Sequence, residues 1–243
     1  MIAGLKQLYN KSLFQPTFFG LFFNPFFIIR RGLFRGISQL SGRLHGRLLD
    51  FGCGSKPYRF LFDVTEYIGT DVEVSGHDHR NEDIDVYYDG KTLPFPDTSF
   101  DSIFSSEVFE HVFNLPEILD ELHRVLKPGG HMLITVPFVW DEHEIPYDFA
   151  RYTSFGIRHI LTEKGFTVVN EMKTTNYVAT LCQMWAAYVY QHILPRNKVV
   201  RIALTPLFIT PITICGLIFS ALLPTNQNFF HNNVLVVQKP QNG

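Results

Sequence analysis

An apolar run, "RLLDF", ends in an acid and breaks into Gly52-Cys53-Gly54, a pattern that could hold a polar ligand. A strand ending this way, with a helix after the glycines, brings backbone N–H groups and a helix N-terminus close to a ligand. Gly52 and Gly54 are read as leaving that approach clear. The spacing excludes two nucleotide sites. A phosphate loop needs GxxxxGK[ST], which is absent, and the three-glycine dinucleotide fingerprint would place its third glycine at Pro57. A pyrophosphate is therefore not the expected ligand. Asp71, closing the next apolar run, suits a ribose diol, because one carboxylate can accept hydrogen bonds from both hydroxyls. The "HDH" at residues 77–79 has no further ligands at suitable spacing, so no metal is expected.

These positions need a scaffold of alternating strands and helices. "RLLDF", "EYIGTD", "IDVYYD", "FDSIFSS" and "GHMLITVPF" read as five strands, the last stopped near Pro137. Between the final two, Leu115, Ile118, Leu119, Leu122, Val125 and Leu126 follow helical spacing, with Asn114 as N-cap and "KPGG" as terminator. A second helix fits "TSFGIRHILTEKG", and "FTVVNEM" and "NNVLVVQK" bring the strands to seven. The expected fold class is α/β: a Rossmann-like seven-stranded sheet, mostly parallel with an antiparallel last strand, helices on both faces, and an apolar helical insert before that strand.

Charge is segregated. Residues 1–49 carry net +7 and no acid, residues 50–171 carry nine bases against 23 acids, and residues 172–243 carry net +5 and no acid. The basic ends are also apolar. Eight Phe lie between Phe14 and Phe34, followed by Arg30, Arg31 and Arg35 around the end of that run. Such a composition suits contact with an anionic membrane, or an apolar hairpin packed within the protein. The expected division is an N-terminal helical segment (1–45), a main domain (46–172 and 232–240) and a hydrophobic insert (173–231). Two uncharged runs in the insert, Thr174 to Pro195 and Ile202 to Phe230, are long enough to span a bilayer. A two-pass hairpin would carry Arg196, Lys198 and Arg201 across, against the positive-inside tendency, and Pro206, Pro211, Thr205, Thr210 and Thr213 interrupt it. A helical insert lying on the membrane, or a cap, is the preferred reading. Cys53, Cys182 and Cys215 have neither disulfide-framework nor zinc spacing, which suits a reducing cytoplasmic setting, and no secretory signal is read.

Gly52-x-Gly54, Asp71, Asp89 before "LPFPDTSFD", "SSEVFEHV" and "ELHRVLKPGG", in order and at matching spacing, resemble the class I S-adenosylmethionine-dependent methyltransferases. The nearest resemblance is to the small-molecule branch with "LPFPDxSFD" after the third strand, over roughly residues 46–170. It implies S-adenosyl-L-methionine as cofactor, held from the Asp50 strand end onward. Gly52, Cys53 and Gly54 would line its methionine part, Asp71 the ribose, Asp89 and the Gly90 backbone the adenine, and Ser105 the sulfonium. Lys56 departs from the family, which often has a small residue there, and is expected to point to solvent.

Methyl transfer to a hydroxyl would gain from a general base. The loop "VWDEHEIPYDFARYT" gathers His143, Glu144, Tyr147, Asp148, Arg151 and Tyr152 where active-site loops of open α/β sheets lie. It resembles a loop of methyltransferases associated with surface-glycan synthesis. His143 is the expected base, with Asp148 or Arg151 positioning the acceptor; alternatively Arg151 pairs with an acid to hold the following helix. His111 is a second base candidate or a packing residue. The expected function is O-methylation of a saccharide or lipid-linked glycan precursor at the inner face of the membrane, with no nucleic-acid partner and an open oligomeric state. A non-catalytic cofactor-binding scaffold and an NAD-dependent oxidoreductase are the alternatives.

Overall fold

The computed structural model describes residues 12–73 and 83–241, so "HDH" and the first eleven residues lie outside the described residues. The chain divides into two units, one of residues through Gly36 with Lys173–His231, the other Ile37–Met172 with Asn232–Gly243.

The second unit is built on seven strands, β1 (Arg47–Phe51), β2 (Glu66–Val72), β3 (Val86–Tyr88), β4 (Phe100–Ser106), β5 (Leu126–Pro137), β6 (Thr167–Lys173) and β7 (Asn232–Gln238). Their order is β3-β2-β1-β4-β5-β7-β6. The β1 to β5 neighbours pair in parallel, with Asp50 opposite Gly69 and Phe104, and β7 pairs antiparallel to β5. The parallel strands end at one edge, and the order reverses between β1 and β4, where open α/β sheets bind ligands.

Two helices complete this core, α3 (Leu115–Val125) and α4 (Ser154–Glu163); two earlier ones, α1 (Phe18–Phe23) and α2 (Phe27–Leu40), precede the sheet. The five apolar positions of α3 from Leu115 to Val125 are buried with Leu49, Ile103, Ile134, Ile157 and Leu161. The Thr153 hydroxyl caps α4 by accepting from the Gly156 amide at 3.0 Å. Two local expectations need correction. "LKPGG" does not end a helix in coil: α3 stops at Val125, and Leu126 already pairs with Phe100 across a register shift, so β5 begins four residues early. Asn114 stands at the N-cap position as expected, but its side chain makes no cap bond, its amide donating instead to the Gly90 carbonyl at 3.3 Å.

The other unit contains α1, the start of α2, and α5 (Tyr177–Tyr188), α6 (Lys198–Phe208) and α7 (Thr210–Leu222). Several of its polar groups are buried. The buried Gln183 carboxamide accepts from the Ile28 and Ile29 amides at 3.0 and 3.2 Å and donates to the Pro25 carbonyl at 2.9 Å, capping the first turn of α2. Thr205, Thr210 and Thr213 are buried, while Trp185, Val199, Leu207, Ile218 and Leu222 are exposed. Among the described residues no single helix is long and apolar enough to cross a membrane; α6 and α7 pass that test only as a pair bent by 40°.

Candidate functional site

At the reversal point the glycine turn is stitched to β2. The Gly52 and Cys53 amides both donate to the Thr70 carbonyl, and the Gly54 amide donates to the Asp71 carboxylate at 3.1 Å. The second Asp71 oxygen accepts from the Val72 amide at 2.8 Å, so the carboxylate is fixed at the end of its strand. Gly52 (φ 71°) is required by the protein itself as well as by any ligand, since a Cβ there would lie 2.4 Å from Val108 Cγ2.

The expected α-helix after the glycines is absent. Residues 52–65 hold only the 3-10 turn Arg59–Leu61, because Lys56 (φ 51°) breaks the run and Pro57 follows. Any ligand here therefore meets turn amides and not a helix dipole. Lys56 does not point to solvent. Its side chain is 6% exposed, and its ammonium meets Asp85 at 2.7 Å and Asp83 at 3.5 Å. Asp85 also accepts from the Gly69 amide at 2.6 Å. Burial opposes ionisation of Asp85, but the Gly69 amide and the Lys56 ammonium outweigh it and hold the carboxyl below its usual range.

Asp50 is buried, and burial first, then the neighbouring Asp71 charge, pushes its carboxyl up to about 7 against the pull of the Tyr67 hydroxyl, which donates to it at 2.6 Å. Cys53 turns its thiol under the loop toward the Asp83 carbonyl, and burial raises that thiol well above its ordinary range. Asp89 is exposed and folds its own turn by accepting from the Lys91 and Thr92 amides. Gly90 takes φ 77°, with only Val72 near its open face. Ser105, at the end of β4, is 1% exposed, and its hydroxyl has no hydrogen-bond partner. A ligand reaching this strand end would satisfy the unmatched hydroxyl.

The two downstream motifs are halves of one fastening. Arg124 donates to the Leu93 and Phe95 carbonyls and to Asp97 and Glu121, and Glu121 accepts from the Leu93 amide. "ELHRV" thus clamps "LPFPD".

Beyond β4 a second cluster forms. Glu107 accepts from Thr135 at 2.7 Å and Asn232 at 2.6 Å. Glu110 is fully buried, and neither of its carboxylate oxygens has a hydrogen-bond partner; burial, then the Glu107 charge, raises its carboxyl well above its usual range. His111 Nδ1 lies 2.8 Å from the Tyr147 carbonyl, an arrangement that makes Nδ1 the donor and leaves the lone pair on Nε2. Burial lowers this imidazole below its ordinary range. His143 stacks edge-on to His111 at 4.7 Å between centroids, with Nδ1 3.2 Å from Asp148. Asp148 is gripped by both terminal nitrogens of Arg151 at 2.6 and 2.7 Å, and Arg151 also binds the Asp141 carbonyl. Burial works against the Asp148 charge, but Arg151 and the His143 amide outweigh it and hold the carboxyl at about 2. Asp148 and Arg151 therefore lock the loop and set the His143 ring. Tyr152 donates to the Phe109 carbonyl at 3.4 Å. Glu110 is not among the residues the sequence singles out; its place beside His111 in "FEHV" does not reveal its burial.

A family model described as "Methyltransferase domain" matches residues 28–177. Over 102 residues the chain is 33% identical to the ubiquinone/menaquinone biosynthesis C-methyltransferase UbiE of Pseudoalteromonas translucida, covering 41% of this chain and 38% of that one. Over 137 residues it is 36% identical to the demethylmenaquinone methyltransferase of Symbiobacterium thermophilum, covering 49% and 51%. The matches thus span about half or less of either relative. Among solved structures, the [4+2]-cyclase SpnF aligns with TM-score 0.55 at 19% identity, over 87% of this chain and 82% of that one. The Haemonchus contortus phosphoethanolamine N-methyltransferase 2 in complex with S-adenosyl-L-methionine aligns with TM-score 0.51 at 19% identity, over 85% and 52%. These two likenesses establish the fold.

The residues present fit S-adenosylmethionine. Asp71 offers a fixed carboxylate, Gly90 an open backbone face, and Ser105 an unmatched hydroxyl, at the ends of neighbouring parallel strands. By family match, sheet order and cofactor face, the chain belongs to the class I S-adenosylmethionine-dependent methyltransferases.

Proposed function

We propose that the protein methylates an oxygen of a saccharide or lipid-linked glycan precursor, working at the cytoplasmic face of a membrane. The observation that carries the oxygen assignment is the His111 imidazole, whose Nδ1 is engaged by Tyr147 so that Nε2 is left as an acceptor beside His143 and Glu144. When bound, S-adenosylmethionine would supply an electrophilic methyl group for the acceptor oxygen. Asp71 and Ser105 would hold it, and the residues past β4 would receive the one proton the hydroxyl gives up. A hydroxyl acceptor needs such a basic group, whereas a carbon acid activated within its own ring system needs less help.

The lipid-linked acceptor is supported by the other unit. Its chain from residue 172 onward has no acid, carries Arg196, Lys198 and Arg201, buries its threonines and exposes Trp185, Leu207, Ile218 and Leu222. Basic and apolar surface of this kind favours an anionic lipid interface. Incubation with labelled S-adenosylmethionine and separated lipid and polysaccharide fractions tests the reading. Base-stable label in the lipid-linked saccharide fraction is expected, and label in neither fraction overturns it.

A further inference from the structure

We propose that Glu110, His111 and His143 form a binding site for a divalent first-row transition cation beside the cofactor face. One ligand atom from each lies within 4.8 Å of the others. The inference concerns a site, and its role in the reaction rests on the oxygen-methylation reading above.

The donor geometry points to a cation. His111 Nε2 faces Glu110 Oε1 at 3.8 Å and Glu144 Oε1 at 3.5 Å, too far for hydrogen bonds, yet Nε2 has no hydrogen-bond partner. Glu110 is 0% exposed with both oxygens unmatched. Two carboxyl oxygens and an imidazole nitrogen turned toward each other are left unmatched; a cation between them would engage all three. Ligands about 2.0–2.2 Å from a common ion sit roughly 3–3.5 Å apart, so small side-chain rotations close this set.

The surroundings are those that hold metal-binding imidazoles. Each ring is fixed through its other nitrogen, His111 Nδ1 by the Tyr147 carbonyl and His143 Nδ1 by Asp141 O at 3.1 Å and Asp148 at 3.2 Å. Arg151 in turn fixes Asp148. Two imidazoles with a carboxylate favour zinc, cobalt, nickel or iron over magnesium or calcium. Glu144, 4.0 Å from His143 Nε2, stands at the rim with a side chain 17% exposed. Val108, two residues before Glu110, packs where a Gly52 side chain would sit, so the cluster and the glycine turn are adjacent. With a cation bound, His111 Nε2 would be a ligand and no longer the proton acceptor; the cation would draw in and acidify the acceptor hydroxyl, and Glu144 would take its proton.

The test uses the full-length protein, freed of metal with a chelator and titrated with Co2+ and Zn2+ by calorimetry and visible absorption. One saturable equivalent is expected, not displaced by Mg2+, with at least tenfold weaker binding in His143→Gln and Glu110→Gln. His143→Gln lies in a partly exposed loop, and an unchanged melting temperature of its metal-free form shows that it folds. Absence of saturable binding, or binding unchanged in both variants, overturns the site. Methyl transfer that survives chelation while no metal binds leaves the oxygen reading standing and defeats the cation. One bound equivalent with no label in any saccharide fraction does the reverse.

Discussion

The Lys56 ammonium lies 2.7 Å from the Asp85 carboxylate, which also accepts the Gly69 amide, so one buried cation joins the glycine turn to the approach to β3. Replacing it by Met keeps the bulk and strands Asp85. We expect Lys56→Met to lower stability by about 1–3 kcal/mol and to weaken S-adenosylmethionine binding about tenfold through a loosened turn. Thermal unfolding and titration calorimetry read the two effects separately, and wild-type values for both would remove Lys56 from the cradle.

Asp71 accepts one amide at each carboxylate oxygen, so a carboxamide keeps one of these bonds and sets its NH2 against the other donor. Asp71→Asn is therefore expected to cost about 1–3 kcal/mol of stability, read by thermal unfolding. It loses charge-assisted bonds to the ribose hydroxyls, about 1.5–3 kcal/mol, or roughly tenfold to a hundredfold in affinity for S-adenosylhomocysteine. Unaltered affinity would place the ribose elsewhere.

Asp50 gives a pH signature of defined sign. Its carboxyl titrates near 7 in the folded protein, because it is buried, against 3.8 when free, so the folded state keeps a proton that the unfolded state has lost. This group's contribution is most favourable below about pH 4 and declines as pH rises to about 7. Asp50→Asn, which cannot ionise and can still accept from Tyr67, should gain on the parent by about 2–4 kcal/mol across that window. Denaturant melts of both proteins at pH 4, 5, 6 and 7 would show the gap widening; a constant gap refutes the assignment.

Arg196, Lys198 and Arg201 lie where the exposed apolar helices begin. On vesicles containing anionic phospholipid the protein should float at low salt, and the triple Gln variant should lose about 1 kcal/mol per charge in partitioning. Retention of both proteins in the soluble fraction would count against a lipid-facing surface.

The central strands β1, β4 and β5 were legible because buried residues run through them. "RLLDF" and "FDSIFSS" coincide with β1 and β4 to the residue. The failures have physical causes. Pro128, Gly129 and Gly130 carry helix-stop chemistry, yet pairing of Leu126 with Phe100 extends β5 through them. The helix after Gly54 followed from fold precedent, and the positive φ of Lys56, stabilised by two distant acids, was invisible to local spacing. The motif order "LPFPD" then "ELHRV" was readable as a pattern, but its cause, one guanidinium bridging 30 residues of chain, was not. Glu110 stayed hidden because nothing in "FEHV" tells a sealed carboxylate from a solvated one.

The antiparallel β7 is inserted between β5 and β6, although about 60 residues of the other unit separate it from β6 in the chain. Until it arrives, β5 presents an unpaired edge of buried apolar strand, and β6 lacks its partner. The sheet therefore closes only after the helices of the other unit have been synthesised, so those helices can form before the sheet is complete. Chains interrupted before Asn232 would be sticky along β5 rather than merely inactive.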